Sequence, residues 1–278
     1  MTAAPFPLLP GKHALGSATD PREHTAYLRA REPDASLDNL GGVILLYQRS
    51  LLRHVLAARK ASLLDGWVRG DLWLVRQNGR WLGLCGGFGL GAPAAALVLE
   101  QLIALGITRV ITVGTAAALQ PDLCAGDLVV CTQALRDEGL SHHYLAPSRY
   151  AHPSGTLTDH LTQALQTADL TVRRGPTWST DALYRETHAE IAAYSAAGIL
   201  TADMEAAGVF AVAEHRDVNA AALFAVADSL LDRQPRQDPP ATRIGLLTAL
   251  DTALTALAPG PRSPRRPTAL HYGEASPR

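Results

Sequence analysis

Continuous runs of apolar residues, separated by segments with helical periodicity, are the feature that most constrains the fold of this chain. Such runs lie at residues 43–47, 109–113, 127–132 and 221–227. Because polar residues do not alternate with apolar ones there, the runs are typical of strands with both faces buried. Strands that alternate with helices predict an α/β fold with a mixed, mostly parallel sheet and helices on both of its faces.

The remaining predicted elements follow the same alternation. Strands at 71–76 and 81–85 flank Asn78-Gly79, a dipeptide that favours a tight hairpin turn. Periodicity also predicts a short strand at 170–173 and helices at residues 50–64, 94–105, 156–167, 185–197, 205–215 and 243–257.

No linker divides the body of the chain, so residues 41–258 are interpreted as a single domain. The length of 278 residues suits one large α/β domain with a sizeable core. Residues 1–40 are rich in Pro, Gly, Asp and Arg and are predicted to be irregular. Residues 259–278 contain five prolines and four arginines, which predicts a disordered tail.

Charge and cysteine content exclude several classes of protein. The formal net charge is −1, whereas proteins that bind nucleic acids or anionic membranes usually carry a basic excess. Cys85, Cys124 and Cys131 have no CxxC spacing, which argues against a disulfide framework and a structural zinc site. No apolar run is long enough to span a bilayer, and residues 1–10 lack the pattern of a signal peptide. We therefore expect a cytoplasmic protein with no nucleic-acid or membrane partner.

Two short motifs have functional interpretations that the surrounding residues disfavour. Residues 87–92 form a G-x-G-x-x-A turn between a predicted strand and a predicted helix, which is the setting of a dinucleotide-binding loop. That loop also needs a carboxylate at the end of the next strand, where Val113-Gly114-Thr115 stands instead, so a close helix–strand packing is favoured. The adjacent side chains of His142 and His143 diverge in a strand, which disfavours a metal site.

Polar residues stand at or near the ends of three predicted strands, namely Thr115, Met204-Glu205 and Asp228. Each has a structural interpretation, since acidic residues favour helix starts and Asp228 suits an N-cap. Together they predict a small-molecule pocket, because ligand sites of α/β sheets lie beyond the carboxyl ends of the strands.

Taken in order, these positions and their neighbours resemble the nucleoside phosphorylase family, which includes uridine phosphorylase and the hexameric purine nucleoside phosphorylases. The similarity spans about residues 41–257, and its order and spacing are more specific than any one motif. The stretches that carry it are residues 89–106, 113–127, 136–144, 180–187, 203–208 and 227–228.

The resemblance implies a fold, an assembly and an activity. The implied fold is a single-domain, three-layer α/β structure whose mixed sheet is wound into a distorted barrel flanked by helices. The implied assembly is a homo-oligomer, either a dimer or a trimer of dimers. The implied reaction is phosphate-dependent cleavage of a nucleoside to a free base and ribose 1-phosphate. Inorganic phosphate is then the co-substrate, with no metal or organic cofactor.

The resemblance also implies roles for individual residues around the nucleoside. Glu205 matches the family's ribose-binding carboxylate, and Met204 matches the thioether that packs against the sugar. Asp228 matches the catalytic acid that acts on the base in purine-cleaving members.

Recognition of the base is implied for two stretches of the chain. Ala116 and Ala117 follow the strand end at Thr115, and Tyr184 and Arg185 lie in the base-side segment. Arg185 has an equally good interpretation as a solvated arginine that opens a helix.

The implied phosphate site departs from the family pattern. Thr115 matches a phosphate-binding residue, but Thr112 stands where phosphorylases usually carry an arginine. The family's Gly-Asp loop with its arginine is also replaced after the first strand, so only Arg49 or Arg53 could supply charge there.

Two alternatives to phosphorolysis stay open. A nucleosidase of the same fold would place a water-activating glutamate after the first strand, but no acidic residue lies between Asp38 and Asp65. A non-catalytic nucleoside-binding protein would keep Glu205 and would have no need of Asp228. Residues 136–144 favour a uridine-like substrate and Asp228 favours a purine, so the pyrimidine is ranked only slightly ahead.

Overall fold

Ten strands form one mixed sheet in the computed structural model, which describes residues 8–234, 237 and 239–259. The strands are β1 (Val43–Leu46), β2 (Ala61–Leu64), β3 (Asp71–Gln77), β4 (Arg80–Gly86), β5 (Arg109–Ala118), β6 (Leu128–Asp137), β7 (Tyr150–Ala151), β8 (Arg173–Thr180), β9 (Thr201–Asp203) and β10 (Asn219–Ser229). The helices are α1 (Pro21–Arg29), α2 (Arg49–Ala58), α3 (Ala92–Ala104), α4 (Ser141–Tyr144), α5 (Gly155–Thr167), α6 (His188–Ala196), α7 (Ala206–His215) and α8 (Pro240–Leu257), with 3₁₀ turns at Lys12–Ala14 and Leu183–Arg185.

Part of the sheet closes on itself. The strand order is β10-β6-β8-β9-β5-β1-β4-β3-β2, and β10 pairs again with β5, which closes a ring of β10, β6, β8, β9 and β5. That closing pairing is parallel and runs from Asn219 opposite Arg109 to Ser229 opposite Ala118. The longer pairings are mainly parallel, while β2–β3–β4 form an antiparallel extension. The predicted mixed sheet with a barrel-like core is confirmed.

Helices cover both faces of the sheet. Leu28 of α1, Leu99 of α3 and Phe210 of α7 belong to one buried apolar cluster. Helices α2, α5 and α8 contribute to a second cluster that also contains β-strand residues. Because both faces are buried, the central strands carry apolar side chains on both sides, and this explains their continuous apolar sequences.

Several predicted elements differ from the structure at their boundaries, and the helix predicted over 50–64 and the strand predicted at 170–173 differ the most. The helix predicted over 50–64 ends at Ala58, and β2 follows it and pairs antiparallel with β3. The strand predicted at 170–173 begins at Arg173 and runs to Thr180. Short apolar runs fit a helix or a strand equally well, so pairing with a neighbouring strand decides between the two.

The prediction that residues 1–40 are irregular is wrong for α1. Asp20 accepts a hydrogen bond from the Arg22 amide at 2.8 Å and forms a capping box with Glu23, and a proline occupies the first turn. Pro and Asp therefore begin a helix here instead of preventing one. Of the tail predicted at 259–278, all but Pro259 lies outside the described residues.

Helices α3 and α7 pack closely enough to require a glycine between them. A Cβ atom added to Gly208 would lie 2.6 Å from Ala92 Cβ and 3.0 Å from Leu140 Cδ2. We expect Gly208→Ala to lower the free energy of unfolding by about 1–3 kcal/mol, since overpacking forces the helices apart. Urea denaturation measures this. Gly155→Ala is the matched control, because Gly155 also lies in a helix and its added Cβ would have no atom within 4 Å. Equal stability of the two variants would contradict the expectation.

Candidate functional site

The ends of β1 and β5 bring Gln48 and Thr115 together. Leu46 pairs in parallel register with Val113, so the residues two positions further along are also neighbours. Gln48 Nε2 donates a hydrogen bond to Thr115 Oγ1 at 3.1 Å. On the same pair of strands Thr112 Oγ1 donates to the Tyr47 hydroxyl at 2.6 Å, and Tyr47 packs edge-on against Phe88. Neutral hydrogen-bonding groups therefore line this edge of the sheet.

Two further strands deliver residues to the same edge. Strand β9 runs antiparallel to β5 with Ala202 opposite Ala117, so the chain beyond Asp203 turns toward Thr115. Strand β10 runs parallel to β5 and places Asp228 opposite Ala117, just after a register shift at Val226. The structure thus brings Thr115 and Asp228 to the same end of the sheet, together with Ala116, Ala117, Met204 and Glu205.

Glu205 is buried at this edge and is held by the glycine turn. Its Oε1 accepts a hydrogen bond from the Gly91 amide at 2.7 Å. Gly91 has φ of +87° and ψ of 160°, a conformation that is open to glycine and strained for other residues. The glycine turn therefore orients an amide toward a carboxylate, and that carboxylate comes from a different part of the chain.

Asp203 anchors the start of α7 and thereby places Glu205. Its Oδ2 accepts from the amides of Glu205 at 2.9 Å and Ala206 at 2.6 Å. Its Oδ1 accepts from the hydroxyl of Ser179 at 2.6 Å, and from Thr177 at 3.3 Å. Sequence reasoning interpreted Asp203 only as part of an acidic helix start within the 203–208 motif. An acidic residue just before a helix is the signal for such a cap.

Burial and the neighbouring carboxylate of Asp203 raise the pKa of Glu205 to about 8, and the Gly91 amide opposes this shift. Burial also raises the pKa of Asp203, against the effect of its hydroxyl and amide donors. Burial of a carboxyl group disfavours its ionised form. Positive charge on a ligand beside Glu205 would favour the ionised carboxylate. Breaking a glycosidic bond places such a charge on the sugar, and a carboxylate stabilises it.

Asp228 lies at the rim of the site and forms an ion pair with Arg233. Its side chain is 37% exposed, whereas Met204 beside Glu205 is half-buried. Glu186 belongs to the same group of charges, because burial first and then the Asp228 carboxylate raise its pKa while Arg233 opposes the shift. Sequence reasoning missed Arg233, which no local motif marks, and it gave Glu186 no role although this residue lies in the base-side segment 180–187.

Four predicted site residues have exposed side chains. Arg49 and Arg53 lie on the exposed face of α2. Tyr184 is 94% exposed, and Arg185 beside it is also exposed in the 3₁₀ turn that ends at this residue. Their assignments to phosphate and to the base stay predictions.

The turn after β6, helix α4 and the residues that follow this helix surround the buried guanidinium of Arg136. Arg136 donates to Ser141 Oγ at 2.8 Å, to the Ala146 carbonyl at 2.8 Å and to Ser148 Oγ at 2.6 Å. His142 and His143 lie in helix α4 and not in a strand as predicted. They contact different partners, the Arg136 carbonyl at 3.2 Å and Lys12 Nζ at 2.5 Å respectively.

The described residues contain no group of three His, Cys, Asp or Glu side chains that could hold a metal ion. Among them, no helix is both long and apolar enough to cross a membrane.

The chain is similar in sequence to known phosphorylases. Two curated relatives are a guanosine phosphorylase of Halorubrum lacusprofundi, 35% identical over 143 residues, and a uridine phosphorylase of Treponema pallidum, 33% identical over 149 residues. The alignments cover 51% and 50% of this chain and 59% and 58% of those proteins, so the chain spans about three-fifths of the length of the relatives it matches.

A solved structure supports the fold. The crystal structure of uridine phosphorylase from Vibrio fischeri superposes with a TM-score of 0.70 at 28% identity, and covers 78% of this chain and 91% of that one. A family model described as the phosphorylase superfamily matches residues 70–255, a range that includes Thr115, Glu205 and Asp228 and begins after Gln48. The chain belongs to the phosphorylase superfamily.

Proposed function

We propose that this protein is a nucleoside phosphorylase. The observation that carries the proposal is the buried carboxyl group of Glu205, fixed by the Gly91 amide at the sheet edge that also presents Thr115. In the reaction, the bond from the anomeric carbon to the base nitrogen breaks as a phosphate oxygen bonds to that carbon. The products are ribose 1-phosphate and the base, which takes up a proton.

One set of residues binds the sugar, and another set binds the phosphate nucleophile. The Glu205 carboxylate accepts hydrogen bonds from two neighbouring ribose hydroxyls and stabilises the positive charge that develops on the sugar. Met204 provides an adaptable apolar surface beside it. Thr115 donates its hydroxyl proton to phosphate, and Arg49 and Arg53 supply the positive charge.

The substrate preference rests on the base-side residues. We rank uridine slightly ahead of purine nucleosides, with Ala116, Ala117, Tyr184 and Arg185 at the base. The names of the relatives include both uridine and guanosine phosphorylase, so both substrates belong in the test. We further propose that the active form is a homo-oligomer and that inorganic phosphate is the only co-substrate.

The direct test is release of free base from uridine, thymidine, inosine, guanosine and adenosine, each with and without inorganic phosphate. Release that requires phosphate, with ribose 1-phosphate as the second product, is the expected result. Equal release without phosphate would contradict phosphorolysis and would establish a nucleosidase. Binding of nucleoside without any release of base would indicate a non-catalytic nucleoside-binding protein.

Hydrolysis is the second candidate, and one observation favours it. The groups that contact one another at the end of β1 are neutral, whereas Arg49 and Arg53 are exposed on α2. A site without a guanidinium in contact with the anion binds phosphate less strongly. The arm of the base-release assay without phosphate decides between the two reactions.

Replacing Asp228 with asparagine is expected to separate purine from pyrimidine substrates. If Asp228 protonates a purine, Asp228→Asn lowers kcat/KM for inosine by roughly 100-fold and leaves uridine within about threefold, because proton transfer contributes such factors. Steady-state kinetics on both nucleosides measure this. Asp232→Asn is the matched control, since Asp232 is an exposed aspartate four positions away. Equal losses on the two substrates would contradict the assignment.

A further inference from the structure

Gln48 lies just after β1 and its side chain reaches across to β5, where only one end of its amide is satisfied. Nε2 donates to Thr115 Oγ1 at 3.1 Å. Within the described part of the chain, Oε1 is buried and has no hydrogen-bond partner. A buried acceptor without a partner costs about 1–3 kcal/mol, so a donor from a bound ligand would stabilise it.

The contact between Gln48 and Thr115 also sets the direction of the threonine hydroxyl. Because Thr115 Oγ1 accepts from Gln48, its own proton points away from the amide and is free to donate elsewhere. The pair therefore presents two complementary groups side by side. Thr115 offers a hydrogen-bond donor, and Gln48 Oε1 offers an acceptor.

The chain around Gln48 favours an anion as the ligand. Gln48 is the N-cap residue of α2, and its side chain makes no capping hydrogen bond to the helix. The first turn of a helix carries partial positive charge and unsatisfied amide groups, which attract anions. An anion at this end would meet the Thr115 hydroxyl and the Gln48 carbonyl together.

We propose that Gln48 determines the specificity of the phosphate site by accepting a hydrogen bond from the protonated oxygen of monohydrogen phosphate. Thr115 donates to an unprotonated oxygen of the same ion. The inference rests on the proposed function, because it assigns a residue to the nucleophile of that reaction. Sulfate has the same shape and charge but carries no proton at neutral pH. Its oxygen would face Oε1 as a second acceptor, and a site built for a hydrogen bond rejects such an analogue.

The experiment is a calorimetric titration of the full chain, without nucleoside, with sodium phosphate and with sodium sulfate at pH 7. Wild-type protein is expected to bind phosphate at least about tenfold more tightly than sulfate. Gln48→Met, which removes both polar groups and keeps the side-chain length, is expected to weaken phosphate binding about tenfold without weakening sulfate binding. Gln48→Leu is the second variant if the first does not fold. Gln163→Met, an exposed glutamine on α5, is the matched control and should behave as wild type.

Three results would overturn the inference. Equal affinity of the wild type for phosphate and sulfate would do so, even if base release requires phosphate. If Gln48→Met weakened the binding of phosphate and of sulfate equally, Gln48 would have a purely structural role. The third result is undetectable phosphate binding in a preparation whose base release does not depend on phosphate. It would contradict the proposed phosphorylase function as well as this inference. The base-release assay therefore distinguishes a failure of this inference from a failure of the proposed function.

Discussion

Glu205→Ala is expected to lower kcat/KM for nucleoside cleavage by roughly 10- to 150-fold, which corresponds to the loss of a charge-assisted hydrogen bond of about 1.5–3 kcal/mol. The variant removes the carboxylate that we propose accepts from the ribose, and it also leaves the Gly91 amide without its buried partner. Steady-state kinetics on the best substrate from the base-release assay measure the effect. Unchanged activity in a folded Glu205→Ala protein would contradict the site assignment.

Glu205→Gln is the matched control for this prediction. The amide oxygen of glutamine can still accept from Gly91, so the variant removes the charge and keeps the local structure. Its kcat/KM is expected to fall nearly as far as that of Glu205→Ala. A Gln variant with wild-type activity would show that the charge of Glu205 is not needed.

The Glu205→Gln variant also tests the raised pKa of Glu205, because that pKa makes the stability of the wild type depend on pH. The pKa is about 8 in the folded protein, above the ordinary glutamate value of 4.5, so the folded state holds the proton more tightly than the unfolded chain. The contribution of Glu205 to the free energy of unfolding therefore falls as pH rises from about 4.5 to 8. Glu205→Gln lacks this pH dependence. The excess of its Tm over that of the wild type is expected to grow by several degrees between pH 5 and pH 8. A constant difference across this range would contradict the shift.

Asp203→Ala is expected to have the largest effect on stability, with a loss of about 3 kcal/mol or more in the free energy of unfolding. It leaves two amides at the start of α7 and the hydroxyl of Ser179 without their acceptor in the core. Urea denaturation followed by circular dichroism measures the loss. Activity should fall with it, because Asp203 holds the backbone that positions Glu205.

Asp251→Ala is the control for the removal of a carboxylate. Asp251 lies on α8 with 69% of its side chain exposed and pairs with Arg59 at 2.9 Å. Exposed ion pairs contribute about 0–1 kcal/mol, so this variant should unfold close to the wild type. If Asp203→Ala unfolded at the same urea concentration as Asp251→Ala, the anchoring role of Asp203 would be wrong.

The close packing of α3 on α7 connects these predictions. Gly91 immediately precedes α3 and Glu205 immediately precedes α7, so the hydrogen bond between them joins the starts of two packed helices. Gly208, one turn into α7, allows this approach because a side chain there would collide with Ala92. The position of the carboxylate thus depends on the packing of two helices as well as on its own contacts.

Several features could be predicted from the sequence because short windows encode them. The apolar runs of β1, β5 and β10 predict buried strands, since neither face of those strands meets water. Asn78-Gly79 predicts a hairpin, and both residues adopt the positive φ that such a turn needs. Polar residues that follow apolar runs predict a site at the strand ends, and Thr115, Glu205 and Asp228 are found at that edge.

The contacts that build the site depend on tertiary structure alone. Glu205 meets an amide 114 positions earlier, and Gln48 meets a hydroxyl 67 positions later. Strand β9 has only three residues, too few for any periodicity, and exists because β5 and β8 pair with it on either side. Local sequence determines which segments become buried strands and capped helices, since propensity and burial act within a few residues. The register of the closing strands decides which side chains meet, because it is set only when the barrel closes.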